Sequence, residues 1–380
     1  MKILHVVNIS FVIPYFLGNQ LKWFEKKGYK EFIVCSPSEE LKRFSNQYGF
    51  EYREVEVLRK ISIWKDLKSV YAIIRYIRQT KVDVVTGHTP KGGLLAMIAA
   101  YITRVPIRIY FRHGLVYETS TGLKRTLLIY IDRLVSCLAT KIVCVSPSVA
   151  IQSLKDGLNS PRKQIVLAHG TCNGIDVNRF NKDNIDHKKI DQLKTQLEIL
   201  EGDFVIGFTG RLVRDKGIVE LVRAFKDFRL EYNNAKLLLV GMYETRDALP
   251  KDVVSAIEKD NSIIHVGYVE NTEIEYYYAL MDVFIFPSYR EGFGTSTIEA
   301  SSMSIPVAVP KITGCIDSII ENETGLFITH DRNNIKSVIE KLYRDELLRK
   351  ELGKNGRKFV IENFRQELVW EEIEKLYKLQ

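Results

Sequence analysis

The sequence predicts an α/β chain folded as two doubly wound, Rossmann-like domains with parallel sheets. Three observations carry this. The chain has 380 residues, about two domains at roughly 150 residues each. Apolar residues make up 46% of it and charged residues 27%, which suits two buried cores and excludes a disordered or collagen-like chain. Short apolar runs alternate with longer stretches of helical period, twice over, on either side of a polar stretch.

The elements follow in order. Residues 1–7, with KILHVV, form a short apolar run, and a helical pattern covers 17–27. EFIVC at 31–35 reads as a strand stopped by Pro37. Residues 63–79 place Leu67, Val70, Ile74 and Ile77 at helical spacing, with Arg75 and Arg78 on the flank. VDVVT at 82–86 is a strand entering a loop over 87–93; 94–103 reads as a buried helix and 106–112 as a strand. A helix over 124–138 and strands over 141–145 and 165–168 complete the first set. The second set has strands at 204–208, 236–240, 263–266, 283–286 and 306–309, with helices at 217–227, 273–280, 295–302 and most of 334–364. The expected division is a first domain over 1–182, a polar linker over 183–203 and a second domain over 204–364. A terminal helix over 365–380 is expected to return to the first domain.

Charge is uneven. Residues 1–180 carry 27 basic and 13 acidic side chains, a net +14, whereas 181–380 carry 28 and 34, a net −6. A basic half beside an acidic half suits a polyanionic partner on one domain, nucleic acid or an anionic membrane face, or simply a solvated surface. The five cysteines are scattered, with no C-x-x-C pair, so a reducing compartment is expected. MKILHVVNIS lacks the apolar run of a signal peptide, and the uncharged stretch 92–103 is too short to span a bilayer. A cytoplasmic protein, free or peripheral on the inner face of the membrane, is the expectation.

Two segments of the second half carry chemistry. After VFIFP comes Ser288-Tyr-Arg-Glu291-Gly292-Phe293-Gly294-Thr-Ser-Thr-Ile-Glu299. Glycines let main-chain N–H groups approach an anion, and the helix N-terminus behind them adds about half an elementary positive charge. Glu299, one turn into the helix, can accept hydrogen bonds from two ribose hydroxyls, and Glu291 from the hydroxyls of a sugar. The bland reading is a strand–loop–helix with surface glutamates. Upstream stands Gly207-Phe-Thr-Gly210-Arg211-Leu-Val-Arg-Asp-Lys216-Gly217, a strand running into a glycine turn with two cations at its tip. Arg211 and Lys216 suit a diphosphate, the first bidentately and the second as a point charge. Arg214 and Asp215 read as solvated loop residues.

Together, GRLVRDKG and EGFGTSTIE resemble the paired motifs of retaining glycosyltransferases of family 4, which have the GT-B fold: two Rossmann-like domains facing across a cleft. GYVENTEIEYYYALMDVFIFPSYREGFG, CNGIDVNRF, MKILHVV and FRHGL extend the resemblance over essentially the whole chain. HTPKGGLLAMIAA with FRHGL is similar to bacterial capsule and O-antigen enzymes, and to N-acetylgalactosaminyltransferases acting on polyprenyl-diphosphate sugars.

The resemblance implies roles residue by residue. Arg211 and Lys216 would hold the donor diphosphate, Glu291 the sugar and Glu299 the ribose. Gly210 and Gly292 would line the donor site, with the amides of Phe293 and Gly294 near sugar or phosphate. His113 would lie at the reaction centre, and Gly18 would let backbone approach the phosphate, where the family often has a glycine pair. His88 and Lys91, in HTPKGG, are candidates for an acceptor phosphate. Thr295, Ser296 and Thr297 depart from the family pattern; their hydroxyls either cap the helix or bond the donor. No D-x-D and no metal-ligand spacing occurs, so no cofactor or metal is expected. The resemblance implies a nucleotide-sugar donor, expected to be UDP-linked. The acceptor would be a polyprenyl-diphosphate-linked saccharide. Its membrane would be met by Arg59, Lys60, Lys65, Lys68, Arg75 and Arg78, interleaved with Ile61, Ile63, Trp64, Tyr71 and Tyr76. Alternatives are a soluble sugar transferase or a nucleotide-sugar epimerase on the same fold. A nucleic-acid-binding protein is remote, since no nucleic-acid motif occurs. A dehydrogenase is disfavoured, because no G-x-G-x-x-G follows the first strand.

Overall fold

Two all-parallel sheets organise the chain, which a computed structural model describes over residues 1–58 and 62–378. Residues 1–174 and 366–380 form one unit, and residues 175–365 the other. In the first, β1 (Lys2–Val6), β2 (Lys30–Cys35), β3 (Glu51–Glu54), β4 (Val84–His88), β5 (Ile107–Arg112), β6 (Lys141–Cys144) and β7 (Gln164–Val166) lie in the order β3-β2-β1-β4-β5-β6-β7. The second holds β8 (Phe204–Thr209), β9 (Ala235–Val240), β10 (Ile263–Gly267), β11 (Val283–Ile285), β12 (Val307–Pro310) and β13 (Gly325–Ile328), ordered β10-β9-β8-β11-β12-β13. The strands stay parallel, but the order in which they are added switches side between β1 and β4 in one sheet and between β8 and β11 in the other. Such switch points open a crevice at the carboxyl ends of the strands, where ligands of doubly wound folds bind.

Both faces of these sheets are covered, which is why their strands read as continuous apolar runs. Alternate residues of β2 enter different cores: Phe32 and Val34 join Val6, Val85 and Leu95, whereas Ile33 and Cys35 join Ile13, Leu21 and Phe44. The helix Pro90–Ile102 presses onto the sheet so closely that a Cβ at Gly93 would come within 2.5 Å of the Tyr110 ring. The helix Gln366–Tyr377 completes the first unit. Its Trp370 Nε1 donates to Asn173 Oδ1 at 2.8 Å, and its Tyr377 packs on Phe24, ring centres 5.1 Å apart.

Several expectations need correction. The boundary falls at Gly174 rather than after 182, and the expected linker holds the helix His187–Gln196, part of the second unit. That helix is polar overall, but Ile190 and Leu193 are buried one turn apart and Asp186 caps it. The expected loop 87–93 shrinks to Thr89: β4 runs to His88, and Thr89 Oγ1 accepts from Gly92 N as the helix begins at Pro90. The helices Glu40–Tyr48, Pro147–Lys155 and Lys251–Lys259 and the strands β3 and β13 went unread, being short or weakly apolar. None of the five cysteines is in a disulfide.

Candidate active site

In the second unit the two chemical segments meet at the switch point. β8 ends at Thr209, and Gly210 follows with φ +144°. A Cβ at Gly241, just beyond β9, would come within 1.8 Å of Gly210 O, so two strand tips touch backbone to backbone. The chain then makes a turn over Arg214–Lys216 and enters the helix Ile218–Arg229 through Gly217. Gly217 has φ +70°, and a Cβ there would stand 2.1 Å from Pro287 O, in the segment leaving β11. Only glycine permits that approach.

This contact draws the following loop into register. Asp215 O accepts from Tyr289 N at 2.9 Å, and the Asp215 carboxylate takes Arg290 at 3.2 Å. Arg214 Nε donates to Ala248 O at 2.8 Å. Arg214 is thus the exposed loop residue expected, though tied to the Ala248 carbonyl, whereas Asp215 is half-buried and fastens the loop after β11.

Lys216 and Glu291 meet directly as an ion pair, with side chains 14% and 13% exposed. Arg211 does not join them; it pairs at 2.7 Å with Glu244, a residue the sequence did not single out. Both cations thus carry a carboxylate counter-ion. Glu291 and Gly292 are pressed on by the loop at Gly314, where a Cβ would come 2.7 Å from Gly292 O. Phe293 is buried, its ring 5.1 Å from that of Phe364, which anchors the bend. Gly294, φ +68°, opens the helix Thr295–Ser302. Among the described residues the amides of Phe293 and Gly294 have no hydrogen-bond acceptor, and no side chain caps this helix. The Thr297 hydroxyl is buried without a partner. The capping alternative for the three hydroxyls is therefore not realised.

Glu299 is partly buried at the same place. Its Oε2 accepts from Tyr278 Oη at 2.7 Å, and Tyr278 Oη lies 2.6 Å from Thr209 Oγ1 at the tip of β8. Burial pushes the Glu299 carboxyl up to about 7, and nearby Glu275 pushes the same way, against the Tyr278 hydrogen bond and Arg179. Tyr278 links β8 to the ribose candidate and was not singled out from sequence. Gly210, Arg211, Lys216, Glu291, Gly292, Phe293, Gly294 and Glu299 thus all lie around the carboxyl ends of β8 and β11.

The first unit holds the remaining candidates. Gly18 opens the helix Asn19–Lys26 with φ +45°, and a Cβ there would stand 2.6 Å from Pro14 O. Its N–H donates to Ile13 O at 2.9 Å, so that amide is already engaged. His113 follows β5 directly, stacked on Phe16 with ring centres 3.9 Å apart. Its neighbour Arg112 is fully buried, held by Asp132 at 2.6 Å, Ser136 at 2.7 Å and Asn159 at 2.7 Å. Burial is the largest single influence and works against the Arg112 charge, but Asp132, Cys144 and Tyr110 together outweigh it and hold the guanidinium above its ordinary range. Sequence reading passed over this anchor.

His88, expected to meet an acceptor, is 1% exposed and enclosed by His5, Thr86, Phe111 and His113, so it contacts no acceptor. Lys91 lies in the first turn of its helix, mostly buried and paired with Asp66 rather than exposed in a loop. Among the described residues no group of three His, Cys, Asp or Glu side chains is placed to hold a metal ion.

This geometry gathers two cations, their carboxylate partners, bare amides and Glu299 at the strand tips of a doubly wound fold. Residues 189–359 match the model described as glycosyl transferases group 1, and residues 16–179 that of glycosyltransferase family 4. The chain is 36% identical over 377 residues to the capsular polysaccharide biosynthesis glycosyltransferase CapM of Staphylococcus aureus, spanning 99% of this chain and 96% of CapM. The chain belongs to the family 4 glycosyltransferases and has their GT-B fold. It is also 26% identical to the Escherichia coli UDP-Gal:alpha-D-GlcNAc-diphosphoundecaprenol alpha-1,3-galactosyltransferase, over 87% of this chain and 84% of that one. The solved structure of Anabaena Alr3699/HepE with UDP and glucose superposes over 100% of both chains, with a TM-score of 0.83 at 18% identity.

Proposed function

We propose that the chain moves a hexose or N-acetylhexosamine, with retention, from a UDP-sugar to a polyprenyl-diphosphate-linked saccharide in capsule or surface polysaccharide assembly. The carrying observation is the Lys216–Glu291 pair, two residues along the chain from the bare amide of Phe293 and three from that of Gly294, at the β8/β11 switch point, with Glu299 on the helix that follows. Lys216, Arg211 and the helix N-terminus take the diphosphate and hold the charge that grows as it leaves. Displaced from Lys216, Glu291 is released to accept sugar hydroxyls, while Glu299 receives the ribose. His113 lies at the reaction centre, and Gly18 gives the phosphate close backbone passage. No residue of the site is a nucleophile beside a partnered base, so the leaving phosphate takes the acceptor's proton in a same-face displacement. Positioning and fixed positive charge supply the rate enhancement, with no metal ion required. The relatives support the reading: CapM by its capsular role, the E. coli enzyme by its UDP-Gal donor and diphosphoundecaprenol acceptor.

The acceptor's membrane would be met by the first unit from the cytoplasmic side. On the helix Ile63–Thr80, Ile63, Trp64, Leu67 and Tyr71 are exposed beside exposed Lys65, Lys68, Arg75 and Arg78. On Gly122–Leu138, Leu123, Leu127, Tyr130 and Leu134 form an exposed stripe near Lys124, Arg125 and Arg133. Tyr76 leaves this set, since it packs edge-on against Phe32 in the core. Arg59, Lys60 and Ile61 lie outside the described residues. No helix among the described residues is long and apolar enough to cross a membrane.

A screen of nucleotide sugars with extracted lipid-linked acceptor tests the proposal. Turnover of one UDP-sugar, dependent on acceptor and unaffected by EDTA, is expected; stabilisation by no nucleotide sugar at all refutes it. Sedimentation with anionic but not neutral vesicles is expected, and failure to sediment favours a soluble transferase.

A further inference from the structure

A row of polar side chains crosses the first unit where apolar ones are expected. His5 on β1, Glu31 on β2, and Thr86 and His88 on β4 are each no more than 4% exposed. Strand register explains why they meet. His5 pairs with Thr86 across β1 and β4, and with Ile33 across β1 and β2, two residues beyond Glu31. His88 lies two beyond Thr86 and pairs with Phe111; His113 lies two beyond Phe111. Each step of two keeps the side chains on one face of the sheet.

The contacts form an unbroken line. His5 Nε2 is 2.9 Å from Glu31 Oε2, and His5 Nδ1 is 2.7 Å from Thr86 Oγ1. Thr86 Oγ1 is 3.1 Å from His88 Nε2, and His88 Nδ1 is 3.1 Å from His113 Nε2. The Glu31 carboxylate oxygen accepts from His5 Nε2–H, and with that one ring hydrogen His5 Nδ1 is left bare. His5 Nδ1 then accepts from the Thr86 hydroxyl, which accepts from His88 Nε2–H. His88 Nδ1 accepts in turn from His113 Nε2–H. Burial holds His88 well below its ordinary range and His113 at about 3, so both rings stay neutral with one N–H each. The His113 ring is partly exposed, and among the described residues its Nδ1 has no partner.

We propose that Glu31, His5, Thr86 and His88 are positioning residues that lock His113 as the Nε2–H tautomer, leaving Nδ1 as the acceptor for a substrate hydroxyl. The catalytic consequence rests on the reading of His113 given above; the tautomer itself does not. A second ring hydrogen on His5 would leave its bond to Glu31 unchanged, reverse every bond beyond it and put the His113 hydrogen on Nδ1.

The test is ¹⁵N-histidine NMR of the full chain at pH 7.5, without ligand. The expected spectrum shows His5, His88 and His113 each as a single Nε2–H tautomer; an Nδ1–H or mixed signature at His113 overturns the proposal. Thr86→Val, which removes the relaying hydroxyl, is expected to mix the His113 tautomers and lower kcat/KM by roughly tenfold, the lower end for a partner that orients a working histidine. Thr86→Ser restores both. In a His113→Ala background Thr86→Val is expected to cause no further loss, whereas a merely structural role would lower activity again. Full activity of His113→Ala refutes the role given to His113, and the spectrum still decides the tautomer.

Discussion

Glu299 gives a sharp thermodynamic prediction. Its carboxyl is raised from 4.5 to about 7, with burial the main cause. A raised value means that the folded state holds the proton more tightly than the unfolded chain. The contribution is complete below about 4.5 and is lost as pH rises toward 7. A shift of this size corresponds to about 3 kcal/mol, and partial exposure reduces it to about 1–3 kcal/mol. Glu299→Gln keeps a neutral acceptor for Tyr278 and removes the titration. The variant and the parent should have similar stability at pH 4.5, and the variant should be more stable by that amount at pH 8. Urea unfolding monitored at several pH values measures the difference. A gap that does not grow between pH 4.5 and 8 refutes the argument. If Glu299 receives the ribose, the same substitution weakens UDP binding above pH 7, where the parent presents an ionised carboxylate with stronger acceptors.

Three further outcomes follow from geometry. Lys216→Ala should lower turnover of the UDP-sugar by about 3 kcal/mol of transition-state stabilisation, on the order of 100-fold, read as kcat/KM; unchanged kinetics would remove Lys216 from the mechanism. Asp132→Ala strands the buried Arg112 charge and should cost about 3–5 kcal/mol in denaturant unfolding, and a cost below about 1 kcal/mol would show that Ser136 and Asn159 suffice. Gly217→Ala sets a Cβ against Pro287 O in a left-handed backbone position, with a loss of at least about 1–3 kcal/mol and a matching drop in melting temperature; a neutral result would mean that the two loops separate easily.

The sequence made the motif-bearing part of the donor site legible because its signals are local. Glycines, cations and carboxylates stand within a few residues of one another in GRLVRDKG and EGFGTSTIE, beside strands whose apolar runs are unmistakable. Partners brought in by strand register left no such trace. Glu244 reaches Arg211 from 33 positions away, and Tyr278 joins Thr209 from 69. Glu31 reads as an ordinary surface carboxylate until β2 is laid beside β1 and buries it against His5. His88 and His113 were singled out, but one proved to be enclosed, because a run such as HTPKGG does not reveal where a strand ends and a helix begins. The helix His187–Gln196 escaped for the opposite reason: its composition is that of a linker, and only Ile190 and Leu193 betray a buried face.

Residues 366–377 have a bearing on synthesis order. They follow the whole second unit along the chain, yet Asn173, Phe24 and Lys27 of the first unit take their partners from Trp370, Tyr377 and Glu374. As the polypeptide emerges from a ribosome, the amino-terminal lobe must wait for the intervening 191 residues before its last helix can dock. Until then the surface around Phe24 stays uncovered, a natural binding place for a chaperone. A fragment ending at Gly174 would inherit the same exposed face, so a free-standing first lobe needs the terminal helix grafted back on.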